Sequence, residues 1–159
     1  MNCTIVAVGK LREKAFRTMA DEYLKRLSRY GRYREVELPD LPEPVNSSPA
    51  LEEQVKEREG AAILRAVHPG AYVIALTIGG RQWDSPGFAR HLEELSLQGH
   101  SDVQFIIGGS LGLHASVTAV AREELSFSPM TFPHQLARVM LLEQLYRAAR
   151  ITAGERYHK

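Results

Sequence analysis

Several kinds of chemistry find few resources in this sequence. It has one cysteine, Cys3, so no internal disulfide can form, and its position in the apolar run Cys3–Val8 marks a buried small residue rather than a nucleophile. No apolar run approaches the roughly 20 residues that span a bilayer. The run at Cys3–Val8 is also too short for a signal peptide and has no basic leader, so export is not expected and the cytoplasm is. The six histidines, His68, His91, His100, His114, His134 and His158, show no metal-ligand spacing with one another or with Asp, Glu or Cys, so no metal is expected. His91 and His100 read as surface residues. A Gly-x-Ser-x-Gly elbow is missing, as are the dinucleotide fingerprint and the lysine of a P-loop. A nucleotide gripped by its phosphates is therefore disfavoured.

What is present fits one ordinary domain. The chain has 159 residues, 44% hydrophobic and 25% charged, enough for a sizeable core. Net charge is +1, but it is unevenly spread. Residues 10–34 hold nine Lys/Arg against three Asp/Glu, residues 133–159 five against two, and residues 35–132 six against fourteen. Basic ends flank an acidic middle. They read either as two solvated helix faces or, if the fold joins them, as one basic surface suited to a polyanion such as RNA.

The hydropathy pattern alternates strand with helix. Buried strands are expected at 2–8, 72–78 and 103–107, an alternating strand at 32–38 and a last one at 124–128. Helices are expected at 11–29, 50–67, about 85–97, 115–123 and 133–152, the third capped by Asp84 with Pro86 in its first turn. The segment 39–49 carries four prolines and reads as a surface loop. This alternation predicts an α/β fold: one domain over 1–159, a mainly parallel sheet and helices on both faces.

Ligand-binding material sits where strands end. The segment 76–80 with its Gly79-Gly80, Gly108-Gly109-Ser110-Leu111-Gly112 and the segment 126–133 all lie at strand ends, where open α/β sheets bind ligands. Each alone could be a plain tight turn. The last segment offers apolar walls in Phe127, Met130 and Phe132 and backbone donors between them, which suits a cofactor held by base and ribose. On the last helix, Ala137, Leu141, Leu142, Leu145, Ala148 and Ala149 share one side, with Arg138 in their midst. A buried guanidinium stays charged and needs an anion. That anion is either a protein carboxylate such as Glu94 or Glu123, or a substrate phosphate, a cofactor carboxylate or a group of a partner subunit. The helix is apolar around most of its circumference, so a second subunit is expected to cover it.

The motifs Val6-Ala7-Val8-Gly9, Trp83-Asp84, residues 105–112 and residues 125–134, with Arg138 and the terminal Tyr157-His158-Lys159, closely resemble the ribosomal large subunit methyltransferase H family. That family belongs to the SPOUT class of trefoil-knotted methyltransferases. The likeness spans essentially the whole chain. It implies methyl transfer from S-adenosylmethionine to N3 of a pseudouridine in 23S rRNA, with the assembled ribosome as substrate. It also implies a homodimer and a C-terminal knot around a bent cofactor. Cofactor contacts carry over to Leu76, Gly108, Phe127, Ser128, Pro129, Met130, Thr131 and Phe132. Tyr157 and His158 are the candidates to receive the N3 proton, and Arg138, Arg156 and Lys159 to hold RNA phosphates. The alternatives are a SPOUT enzyme for tRNA or another RNA, and a non-enzymatic α/β module that binds an adenine nucleotide.

Overall fold

The computed structural model describes residues 1–159. Five strands form one sheet: β1 (Asn2–Val8), β2 (Arg32–Leu38), β3 (Tyr72–Gln82), β4 (Asp102–Ile107) and β5 (Glu123–Ser126). They lie in the order β2-β1-β4-β3-β5 and every pairing is parallel. The helices are α1 (Lys14–Leu27), α2 (Pro49–Ala66), α3 (Ser85–Leu97), α4 (Ala115–Val120) and α5 (His134–Thr152).

Central position explains the apolar strands. β1 and β4 have neighbours on both sides and helices on both faces, so both sets of alternating side chains are buried. Cys3, Ile5, Val103, Phe105 and Ile107 join the larger core under α1, α3 and α5. Val6, Val8 and Ile106 join a smaller one with Ile63 of α2 and Val117 of α4. Edge strand β2 alternates half-buried with exposed residues, as its sequence predicts. Asp84 caps α3 as expected, accepting the Gly87 N–H at 2.6 Å, and the Ser48 hydroxyl caps α2 by accepting the Leu51 N–H at 3.3 Å.

Tertiary structure departs from the sequence expectations in two places. The third strand does not stop at Ile78. Leu125 of β5 sits opposite both Leu76 and Arg81, so residues 77–80 bulge out of the ladder and the chain re-pairs beyond them. Gly80 permits this, since a Cβ there would stand 2.7 Å from the backbone carbons of Glu124 and Leu125. The second departure concerns α5, which was expected to need a second subunit. It lies between α1 and α3 of its own chain, with Leu141, Leu142 and Leu145 at 0–1% exposure. Each such leucine contributes roughly 1.5–3 kcal/mol. The apolar circumference is consumed inside the protomer, and it is no argument for assembly.

The glycine pair gives a direct check on the bulge. Gly80→Val should destabilise the protein by about 1–3 kcal/mol through forced backbone displacement. Gly79→Ala, where an added Cβ meets nothing within 4 Å, should stay within about 0.5 kcal/mol of wild type. Urea unfolding of both variants measures the difference; equal effects would contradict the close approach.

Candidate functional site

At the carboxyl edge of the sheet, the β3 bulge, the turn after β4 and the loop between β5 and α5 close around a cavity of about 850 Å³. Leu76, Gly108, Phe127, Ser128, Met130, Thr131 and Phe132 line it, as the sequence reading placed them. Pro129 belongs to the same loop but is not part of the wall. Thr77 and Ile78 fall inside the 76–80 segment that the sequence marked as ligand-binding, whereas Ile107, Leu113, Thr118, Leu125, His134 and Ala137 lie outside every site expected from the sequence.

The wall is chemically one-sided. It contains no Lys, Arg, Asp or Glu, so a phosphate placed there would find no countercharge. Ile78 and Met130, 56% and 71% exposed, are large apolar side chains left open to solvent along its walls. The Thr77 hydroxyl is buried and has no partner in the protein. A buried polar atom left unpaired costs free energy, so a ligand that bonds it gains.

Two turns shape the cavity. Gly112 has φ +84°, its N–H reaches the Gly109 carbonyl at 3.1 Å, and the chain doubles back onto Gly108. A Cβ on Gly108 would lie 2.8 Å from Leu113 Cδ2 and 3.0 Å from the Gly112 carbonyl carbon. The loop after β5 braces itself: the Ser126 hydroxyl donates to the Ser128 carbonyl at 3.1 Å, and the Ser128 hydroxyl accepts the Met130 N–H at 3.0 Å. One of the backbone donors expected for the ligand is thus spent within the loop.

Arg138 answers the question its position posed. Its side chain is 1% exposed. Nη2 donates to the Gly9 carbonyl at 2.6 Å, and Nη1 reaches Glu37 at 2.9 Å and Glu35 at 3.4 Å. The anion is a pair of β2 carboxylates, not Glu94 or Glu123 and not a phosphate. The case for Arg138 as an RNA contact rested on an unmet charge, and that charge is met. Glu35 and Glu37 share one face of β2 because strand side chains alternate, a pattern visible in the sequence but without its partner. Burial pushes the Glu37 carboxyl up; Arg138, the Leu11 N–H and Arg17 outweigh it and hold the group below its ordinary value.

The C-terminal tail is docked. The Tyr157 hydroxyl donates to Glu143 at 3.1 Å, its ring lies 4.6 Å from the Arg147 guanidinium carbon, and it meets Tyr146 edge-on at 4.9 Å. Burial, then Glu143, pushes its phenol up to about 12. A phenol that keeps its proton and donates it to a carboxylate is a poor base at neutral pH, which opposes the catalytic role expected for Tyr157. His158 is exposed, with Nδ1 3.5 Å from Arg147. It borders a second cavity of about 590 Å³ that shares Leu125, Ser126 and Phe127 with the first. Arg156 and Lys159 are exposed and pair with no carboxylate.

Three of the other histidines are structural. His91, read as a surface residue, stacks on Trp83 at 4.8 Å with Nε2 2.6 Å from Glu123. His100, also read as surface, is half-buried and leans on Tyr72 at 4.9 Å. His114 caps α4, Nδ1 accepting the Ser116 N–H at 3.1 Å. No group of three His, Cys, Asp or Glu residues is placed to hold a metal ion. Cys3 is buried within β1, which pushes its thiol up and makes it unreactive.

Comparison with known proteins bears on this arrangement. A family model described as "Predicted SPOUT methyltransferase" matches residues 1–158. The chain is 50% identical to the ribosomal RNA large subunit methyltransferase H of Alkaliphilus oremlandii, with all of both chains covered. It is 51% identical to the protein of the same name from Clostridium beijerinckii, again over all of both. Among solved structures, the crystal structure of TrmJ from Z. mobilis ZM4 superposes with a TM-score of 0.51 at 16% identity, covering 93% of this chain and 70% of that one. That likeness speaks to the fold.

The ion network makes two measurable commitments. Arg138→Ala leaves Glu35 and Glu37 to Arg17 alone, at 2.5 and 3.6 Å, and should cost about 1.5–3 kcal/mol of folding stability, read from urea unfolding. Stability should also fall with acid. The unfolded chain takes up the Glu37 proton near the ordinary value of 4.5, while the folded chain resists until a lower pH. The contribution is therefore complete above 4.5 and lost as pH drops through the lower folded value. Glu37→Gln should flatten that acid limb; a limb identical to wild type would contradict the assignment.

Proposed function

Since the chain belongs to the SPOUT methyltransferase family, we propose that it transfers the methyl group of S-adenosylmethionine to N3 of a pseudouridine in 23S rRNA, on the assembled ribosome. The names of its relatives support the rRNA substrate. The observation that carries the cofactor is the cavity wall, free of Lys, Arg, Asp and Glu. A nucleotide would leave its phosphates without countercharge there. S-adenosylmethionine has no phosphate; its adenosine suits apolar walls, and its polar atoms suit main-chain groups and the unpaired Thr77 hydroxyl. This also weighs against a module for an adenine nucleotide.

When bound, the cofactor supplies an already activated sulfonium methyl. The protein's part is alignment and exclusion of water. The self-braced loop with Phe127, Met130 and Phe132, and the tight turn at Gly108, hold one geometry. N3 must lose its proton as it takes the methyl group. With Tyr157 committed to Glu143, His158 is the side chain we assign to receive it. Arg156 and Lys159, unpaired and beside it in the chain, would meet phosphates. The reading includes the C-terminal trefoil knot, a homodimer and action in the cytoplasm, where ribosomes are.

Methyl transfer from labelled cofactor to ribosomes, free rRNA and free tRNA tests the reading, ribosomes being the expected acceptor. Label appearing only in tRNA would move the chain to a different RNA; label in none would remove the activity. Gly108→Val should abolish cofactor binding in calorimetry while the protein stays folded, since the added side chain displaces the turn at Leu113 and Gly112. Unchanged affinity in the folded variant would remove the site assignment.

A further inference from the structure

We propose that the loop after β1, presenting Lys10 and Arg12 and continuing to Lys14, holds the phosphate backbone of the RNA beside the cofactor cavity. The proposal rests on the reading of the chain as an rRNA methyltransferase and deepens it.

The loop is held at three points. The Gly9 N–H donates to the Leu38 carbonyl at 2.7 Å, the Gly9 carbonyl accepts Arg138 at 2.6 Å, and the Leu11 N–H donates to Glu37 at 3.1 Å. The Leu11 side chain is 6% exposed and belongs to the main core. With Leu11 turned inward, Lys10 and Arg12 on either side are exposed, as is Lys14. A fixed backbone presents these charges without the ordering penalty of a mobile loop.

Position ties the loop to the cavity. A Cβ on Gly9 would stand 3.7 Å from His134 Nε2, and His134 lines the cofactor cavity. The neighbouring cation Arg17 is engaged by Asp21 and Glu35. Lys10, Arg12 and Lys14 form no ion pair with any carboxylate. Nor does fold stability account for Lys14. It opens α1, whose first turn has no acidic residue, and a cation there works against the helix dipole. Three free cations on a pinned loop suit a polyanion, and phosphates of a nucleic acid are met by such charges irrespective of sequence.

The test compares Lys10→Gln/Arg12→Gln/Lys14→Gln with wild type for ribosome binding over a salt series. A control, Lys25→Gln/Arg32→Gln, removes two charges at the amino edge of the sheet. If each cation meets a phosphate, the slope of log affinity against log salt should be shallower by about 0.7–0.9 per contact. Between about 50 and 200 mM salt the wild type should then lose roughly 20- to 40-fold more affinity than the triple variant. Cofactor affinity by calorimetry and the melting temperature should not move, and the control should keep the wild-type slope. A triple variant with the wild-type slope overturns the proposal, as does a control that changes as much as the triple variant. If the wild type itself neither binds nor methylates ribosomes, the rRNA reading fails first, and the loop's partner with it.

Discussion

A guanidinium without access to water must be neutralised where it stands, and Arg138 is neutralised across three elements. It ties the first turns of α5 to two carboxylates of β2 and to the backbone just after β1. Burying such a group has a desolvation cost that apolar residues of equal volume would avoid. What the ion network supplies is location. The start of α5 is also the end of the β5–α5 loop, which walls the cofactor cavity, and Gly9 begins the loop that carries Lys10 and Arg12. One charge network therefore sets the relative position of the cavity proposed for the methyl donor and the basic loop beside it.

The cavity comes from interruptions in otherwise regular structure. β3 breaks its ladder at 77–80, leaving Thr77 and Ile78 facing the cavity. β4 ends in a turn so tight that Gly108 has no room for a side chain. The β5–α5 loop spends its own hydroxyls on bracing itself. Each device trades local hydrogen bonding or conformational freedom for a fixed wall, which suits chemistry that depends on alignment rather than on strong acids or bases. The absence of charge in the wall is the same economy: a sulfonium needs no activation from the protein.

The tail shows how a suggestive motif is absorbed by the fold. Tyr, His and two cations at the end of a chain suit a base and a phosphate, yet packing places Tyr157 on Tyr146 and turns its hydroxyl to donate a hydrogen bond to Glu143. Glu155 is held by Tyr30 and Arg150, which docks the segment on the turn after α1 and on α5. His158, Arg156 and Lys159 are what the docking leaves exposed.

Much of this protein was legible without coordinates. Periodicity placed five strands and five helices in the right order, because burial on one or two faces imposes repeats that any reader of hydropathy can see. The glycine and aromatic segments at strand ends pointed to the edge where the cavity lies, because ligand sites in open sheets lie where those segments must be, and the family resemblance named seven of its lining residues. Pairings across long separations were not legible. That Arg138 meets Glu35 and Glu37, that His91 stacks on Trp83, that residues 77–80 leave the ladder, and that α1 and α3 cover α5 all depend on which elements become neighbours. Local patterns report how each segment treats water; they say a charge must be met, but only the packed chain decides by what.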